Sequence, residues 1–184
     1  MQRRFLLALV LMLTLLASKA ANATPFNYTG TTVGGPTWNR PLSGTPPSGM
    51  SGVGTSVPYD EFAFTVDASG AYDFLSLGVT PTNWDNFLVL YQTAFSPLSP
   101  LMNVIVANDD FPGIGRAGFN GVSLTAGTQY FLITTGFANT SVGEFSNTIT
   151  GEGNVTPGAV PEPTSLILLG TGLVGLRAWR KRRH

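Results

Sequence analysis

From Tyr59 to Thr150 the chain is a series of short apolar stretches, broken at close intervals by Gly, Pro, Asn and Asp. Phe62, Phe64 and Val66 alternate with Glu61, Ala63 and Thr65, the period-two signature of a strand. Ala68-Ser69-Gly70 makes a turn into a second strand over Ala71–Val79, which Pro81-Thr82-Asn83 ends. Asn86–Gln92 is a near-continuous apolar run, as expected of a buried strand. Asn103–Ala107 is the next strand. Phe119–Leu124 and Gln129–Thr135 flank the hairpin-type connection Thr125-Ala126-Gly127-Thr128, and Ser141–Thr150 closes the series. No stretch shows a convincing amphipathic helix. The pattern predicts an all-β fold, a jelly-roll-like β-sandwich over residues 59–150. Composition agrees: 12 Phe, 5 Tyr and 3 Trp supply a core, and 22 Gly with 13 Pro suit a loop-rich domain.

Ahead of this series, residues 24–58 form a Gly/Pro/Ser-rich segment. Gly34-Gly35-Pro36, Thr45-Pro46-Pro47 and Gly49-Met50-Ser51-Gly52 are turn signals. The stretch over 33–58 reads as a flexible or partly disordered loop; the alternative is a ligand loop carrying Trp38 and Arg40.

The two ends of the chain carry targeting patterns. Arg3 and Arg4, the apolar run Phe5–Ala17 and the small-x-small triplet Ala21-Asn22-Ala23 together read as a secretory signal peptide over residues 1–23. Ala21 and Ala23 mark the expected cleavage site, and the expected partners are a Sec translocon and signal peptidase. At the other end, residues 151–159 read as a linker before Val160-Pro161-Glu162-Pro163. An apolar, Gly-punctuated segment follows from Ser165 to Leu176, and Arg177, Arg180, Lys181, Arg182 and Arg183 close the chain. Apolar residues followed by a basic cluster form a stop-transfer arrangement. As a helix, Ser165–Trp179 would rise only about 22 Å, short of a core of about 30 Å. Trp179 and snorkelling arginines can help to close that gap.

This ordered tail resembles the PEP-CTERM sorting signal of bacterial proteins. The likeness covers residues 160–184: the motif Pro161, Glu162, Pro163, a short transmembrane helix and a basic tail. It implies recognition by an exosortase, a membrane-embedded transpeptidase-like enzyme that cuts at or near the motif. It also implies membrane anchoring before processing, then delivery to the envelope or outside, in bacteria that make extracellular polysaccharide. Proline suits the motif physically, because it keeps the backbone extended at the membrane face.

A second resemblance lies in the middle of the chain. Asp85 ahead of Phe87-Leu88-Val89-Leu90-Tyr91, then Ala107-Asn108-Asp109-Asp110, Arg116 and Val122–Tyr130 are similar to bacterial pre-peptidase C-terminal domains. Those are small jelly-roll sandwiches appended to secreted proteins. The insertion between Tyr91 and Ala107, with Pro97 and Pro100, departs from the simplest form of that pattern.

The exported segment, Thr24 to Val160, contains no His, Lys or Cys; the only histidine is His184. That removes a Ser-His-Asp triad, a Schiff-base lysine, a thiolate nucleophile and a histidine-bound metal. A carboxylate pair for glycoside hydrolysis is the main design left. Asp109 and Asp110 are adjacent, so only a loop would converge them. The segment is expected to be non-enzymatic, with no resident cofactor.

Asp85, Asn108, Asp109 and Asp110 offer oxygen ligands for Ca²⁺; the competing reading of Asn108-Asp109-Asp110 is a solvated turn. Trp38, Trp84 and Tyr91 offer a sugar-stacking platform; the competing reading is core. Two basic residues against nine acidic ones leave this segment near −7, which disfavours nucleic acid as a partner. The expected role is structural or adhesive, linked to exopolysaccharide, with a carbohydrate- or calcium-binding module as the alternative.

Overall fold

A computed structural model describes residues 23–158. Ten strands follow in order: β1 Phe26–Thr31, β2 Thr37–Trp38, β3 Val57–Val66, β4 Gly70–Thr80, β5 Asn86–Gln92, β6 Val104–Asn108, β7 Arg116–Leu124, β8 Tyr130–Gly136, β9 Glu144–Gly151 and β10 Val155–Pro157. There is no α-helix among the described residues. One sheet has four strands in the order β1-β9-β4-β7; the other has six, in the order β10-β3-β8-β5-β6 with β2 added on β3. All pairings are antiparallel. The seven strands read from the sequence all form, with ends shifted by a few residues, as strand ends usually are.

Alternation along the strands builds two cores. Phe64, Val66, Leu88, Leu90, Val106 and Leu132 of the larger sheet pack on Tyr72, Phe74, Ala117, Phe119, Leu124 and Ile149 of the smaller one. This is the interior of a β-sandwich. The opposite parity of the larger sheet packs on its outer side. There Val57, Tyr59, Phe87, Val89, Tyr91, Ala107 and Ile133 form a second cluster with Trp38 and Phe95. The unbroken apolar run of β5 follows from this, since the strand is buried on both faces.

The outer cluster corrects the expectation of a flexible loop at 33–58. This segment is folded over the outer face of the larger sheet. Trp38 is 4% exposed and Arg40 only 2%. Gly44 exchanges backbone hydrogen bonds with Ala107 of β6, and Pro41 bridges Met50. Few of its residues lie in strands, so its order rests on buried side chains that period-two reading does not detect. The folded unit is also wider than residues 59–150. β1 pairs along its length with β9, and β10 within the expected linker pairs with Val66, Thr65 and Phe64 of β3.

Among the described residues no helix is long and apolar enough to cross a membrane. The signal peptide with Ala21, the motif Pro161, Glu162 and Pro163, the expected transmembrane helix and the basic tail Arg177, Arg180, Lys181, Arg182 and Arg183 lie outside the described residues.

Candidate functional site

β5 and β6 lie side by side with Leu88 opposite Asn108. Asp85 precedes β5; Asp109 and Asp110 follow β6. Asp85 shares parity with Phe87, and Asp109 with Ala107, so both belong to the outer face of the larger sheet. Asp109 and Asp110 sit past the strand end, where adjacent side chains are free to converge. Asp85, Asp109 and Asp110 each bring one carboxylate oxygen within 4.8 Å of the others. Asp110 is exposed and the other two are half-buried.

Asn108 does not join them. Its side chain has the opposite parity, and its Nδ2 donates to the Gly118 carbonyl of β7, in the other sheet, at 2.7 Å. Asn108 therefore helps to hold the sheets together, which corrects its placement with the three carboxylates. Arg116 is exposed and forms no ion pair among the described residues.

Burial pushes the Asp109 carboxyl up to about 6, helped by the charges of Asp85 and Asp110 and opposed by Arg40. Asp109 Oδ1 is enclosed and has no hydrogen-bond partner. Asp85 is raised as well, by burial first and then by Asp110, again against Arg40. Arg40 is the residue that sequence reasoning left out of this cluster. Its Nε and Nη2 donate to the Phe137 carbonyl at 3.0 and 2.7 Å, and its Nη1 donates to the Pro41 carbonyl at 2.9 Å. Its guanidinium stacks on the Phe87 ring at 3.9 Å. One signal pointed to it: it is one of only two basic residues in an acidic segment.

An acid raised in the folded state is less costly when protonated, so stability held below its unfolded value is lost as pH rises through about 6. Asp109→Asn is therefore expected to stabilise the protein at pH 8 by about 1 kcal/mol, after allowing for solvent screening of a half-buried group. The gain should vanish towards pH 4. Urea unfolding at both pH values, with chelator present, measures it; an equal change at both would contradict the assignment.

Trp38, Trp84 and Tyr91 do not form a platform. All three are buried, and Tyr91 and Trp38 face each other within the outer cluster, ring centroids 6.4 Å apart. Trp84 instead donates its Nε1 to the Glu144 carbonyl at 2.7 Å. A shallow groove lined by Thr29, Thr31, Val79 and Glu144 lies along the smaller sheet, apart from the three aspartates.

No curated protein matches the chain. Among solved structures, the pre-peptidase C-terminal domain of a Bacillus anthracis collagenase is 14% identical with a TM-score of 0.40, covering 67% of this chain and 87% of its own. A family 35 carbohydrate-binding module from an environmental isolate is 17% identical with a TM-score of 0.41, covering 76% of this chain and 100% of its own. A family 35 module from Clostridium thermocellum is 14% identical with a TM-score of 0.38, covering 74% and 100%. These are loose likenesses that carry no ligand or activity across. A family model of the PEP-CTERM protein-sorting motif matches residues 159–183. It begins where the described sandwich ends, at Gly158, and it implies export, passage through the membrane and processing by an exosortase. The chain is thus an exported β-sandwich protein bearing a PEP-CTERM protein-sorting motif.

Proposed function

We propose that this protein is a non-catalytic module, released or transferred at its tail, with a structural or adhesive role linked to exopolysaccharide in the cell envelope or extracellular matrix. The observation that carries this reading is the sorting motif at 159–183. The chemistry of the exported segment supports it: without His, Lys or Cys, few catalytic designs are open to it. The test is fractionation of a producing strain. The protein should be recovered with extracted exopolysaccharide, and strains lacking it should show weakened matrix cohesion with unchanged polysaccharide yield. Recovery only in the periplasm, with normal cohesion, would overturn the reading.

A second reading has the sandwich hold calcium at Asp85, Asp109 and Asp110. It is favoured by the convergence of three carboxylates and by the enclosed, unpartnered Oδ1 of Asp109. Hard oxygens suit that ion, and loop carbonyls nearby would complete a shell. Millimolar calcium should then raise the unfolding midpoint of the wild type and leave that of Asp109→Asn unmoved. An equal shift in both proteins would exclude this site.

A further inference from the structure

β3 carries two partners on the edge that faces away from β8, and they leave a gap between them. β2 and Pro36 cover one end: Trp38 lies opposite Val57, Thr37 opposite Pro58, and the Tyr59 N–H donates to the Pro36 carbonyl at 3.0 Å. β10 covers the other end: Val155, Thr156 and Pro157 lie opposite Val66, Thr65 and Phe64, and the Gly158 N–H donates to the Ala63 carbonyl at 2.7 Å. Glu61 stands in the gap.

Three bonds fix the parity of this edge. The Asp67 N–H donates to Asn154, the Gly158 N–H donates to Ala63, and the Tyr59 N–H donates to Pro36. Backbone polar groups alternate from one edge of a strand to the other, so the odd residues of β3 turn theirs to this edge. The Glu61 N–H and C=O therefore point into the gap. Among the described residues no strand pairs with them on that side. Glu61 is half-buried. An open backbone pair of this kind is costly where water is shielded from it, and a template for another strand where it is not.

Few chains fit the gap. Ala63 to Tyr59 is four residues, about 13 Å of strand, with room for one hydrogen-bonded pair. Gly158 closes it on one side. On the other the backbone is already close, since a Cβ on Gly35 would meet the Tyr59 carbonyl oxygen at 2.6 Å. A strand from another molecule has no length to work with between these stops, whereas the chain leaving Gly158 runs straight in. Continuing the register of β10 by two residues brings Val160 opposite Glu61. That face carries Ala63 and Tyr59, both buried, and suits an apolar β-branched side chain. Pro161 follows in register opposite Asp60, at a position whose nitrogen points away from β3 and needs no proton to donate. Glu162 would come opposite Tyr59, whose N–H is already taken by Pro36. The ladder thus has a reason to stop where the sorting motif starts.

We propose that the edge of β3 at Glu61 is the docking site of Ala159 and Val160, which extend β10 by one hydrogen-bonded pair. The sorting motif then begins at the margin of the folded sheet and not on a flexible stalk. The consequence for processing rests on the reading of the tail as an exosortase substrate. The motif reaches the enzyme with its upstream side already held extended, and only once β10 has closed on β3.

NMR on isotopically labelled residues 24–184 in phosphatidylcholine nanodiscs tests the docking. In this register Ala159 and Phe62 form the close, non-hydrogen-bonded pair, with Cα atoms about 4.5 Å apart. Their Hα protons should show a strong cross-strand Overhauser effect, and the Glu61 amide should exchange roughly tenfold or more slowly than an open amide. Val160→Pro removes an N–H aimed at β3 and should free the Glu61 amide while Gly158 stays protected. Ala159→Pro removes an N–H aimed away from β3 and should leave Glu61 protected. A wild type with no Ala159–Phe62 contact and a freely exchanging Glu61 amide would overturn the proposal. Glu61 protection that survives Val160→Pro, or is lost equally in both proline variants, would overturn it too. If Val160→Pro also frees Gly158, the wild-type contact alone decides. None of these readouts needs an exosortase, so failure of the docking and failure of the sorting reading are separate results.

Discussion

Arg40→Ala is expected to lower the stability of the sandwich by about 3 kcal/mol, because a hydrogen bond to a charged group contributes about 1.5–3 kcal/mol and the emptied site is buried. Three hydrogen bonds disappear with the guanidinium, leaving the Pro41 and Phe137 carbonyls without these donors. The stack on Phe87 is lost. Asp85 and Asp109, whose carboxyls are already raised by burial, lose the positive charge that opposes the rise. Arg40→Lys should recover only a minor part, because an ammonium can neither fork two donors onto one carbonyl nor stack flat on a ring. Gly54 explains why the arginine fits here: a Cβ at that position would meet Arg40 Nε at 2.7 Å. Urea unfolding of the three proteins at pH 7 measures the effect. A loss below about 1 kcal/mol for Arg40→Ala would be the behaviour of a surface charge, and would contradict its burial.

Trp38→Ala is expected to cost a similar amount, about 3–5 kcal/mol for an aromatic core truncation. Trp38 packs on Tyr59, Tyr91 and Phe95, and its Nε1 donates to Thr135 Oγ1 at 3.2 Å. The substitution should have a local signature as well. Residues 33–56 are held against the sheet largely by Trp38, Arg40 and the backbone exchange of Gly44 with Ala107. Limited proteolysis should therefore cut the variant in this stretch well before the strands open, whereas a general loss of stability would leave the cutting pattern unchanged.

These two residues also show where sequence reading stops. The strands of the sandwich were legible because their alternation is local: β5 was bounded correctly from Asn86 to Gln92 by its apolar run alone. Trp38 and Arg40 lie among Gly and Pro with no period around them. What orders them is a sheet face assembled from β3, β5, β6 and β8, and such a face is absent from any single window of sequence. β10 was missed for a related reason, since three residues after Gly and Asn read as linker until β3 offers them an edge.

The candidate site divides in the same way. Asp109 and Asp110 were legible as neighbours, and Asp85 was picked out with them ahead of an apolar strand. The turning of Asn108 to Gly118 depends on exactly where β6 ends, and Arg40 reaches the cluster from a distant loop. Trp84 and Tyr91 looked available for stacking because aromatic residues carry no sign of which face they occupy until the second layer is known.

The most direct test of the account is the mass of the mature chain. The protein is expressed in a host with an active exosortase, beside a variant in which Pro161, Glu162 and Pro163 are all replaced by alanine. The wild type should lose the residues beyond the motif, including His184, while the variant keeps them. If both chains retain His184 in that host, the tail is an anchor and not a sorting signal, and the proposed route to the envelope and matrix is contradicted.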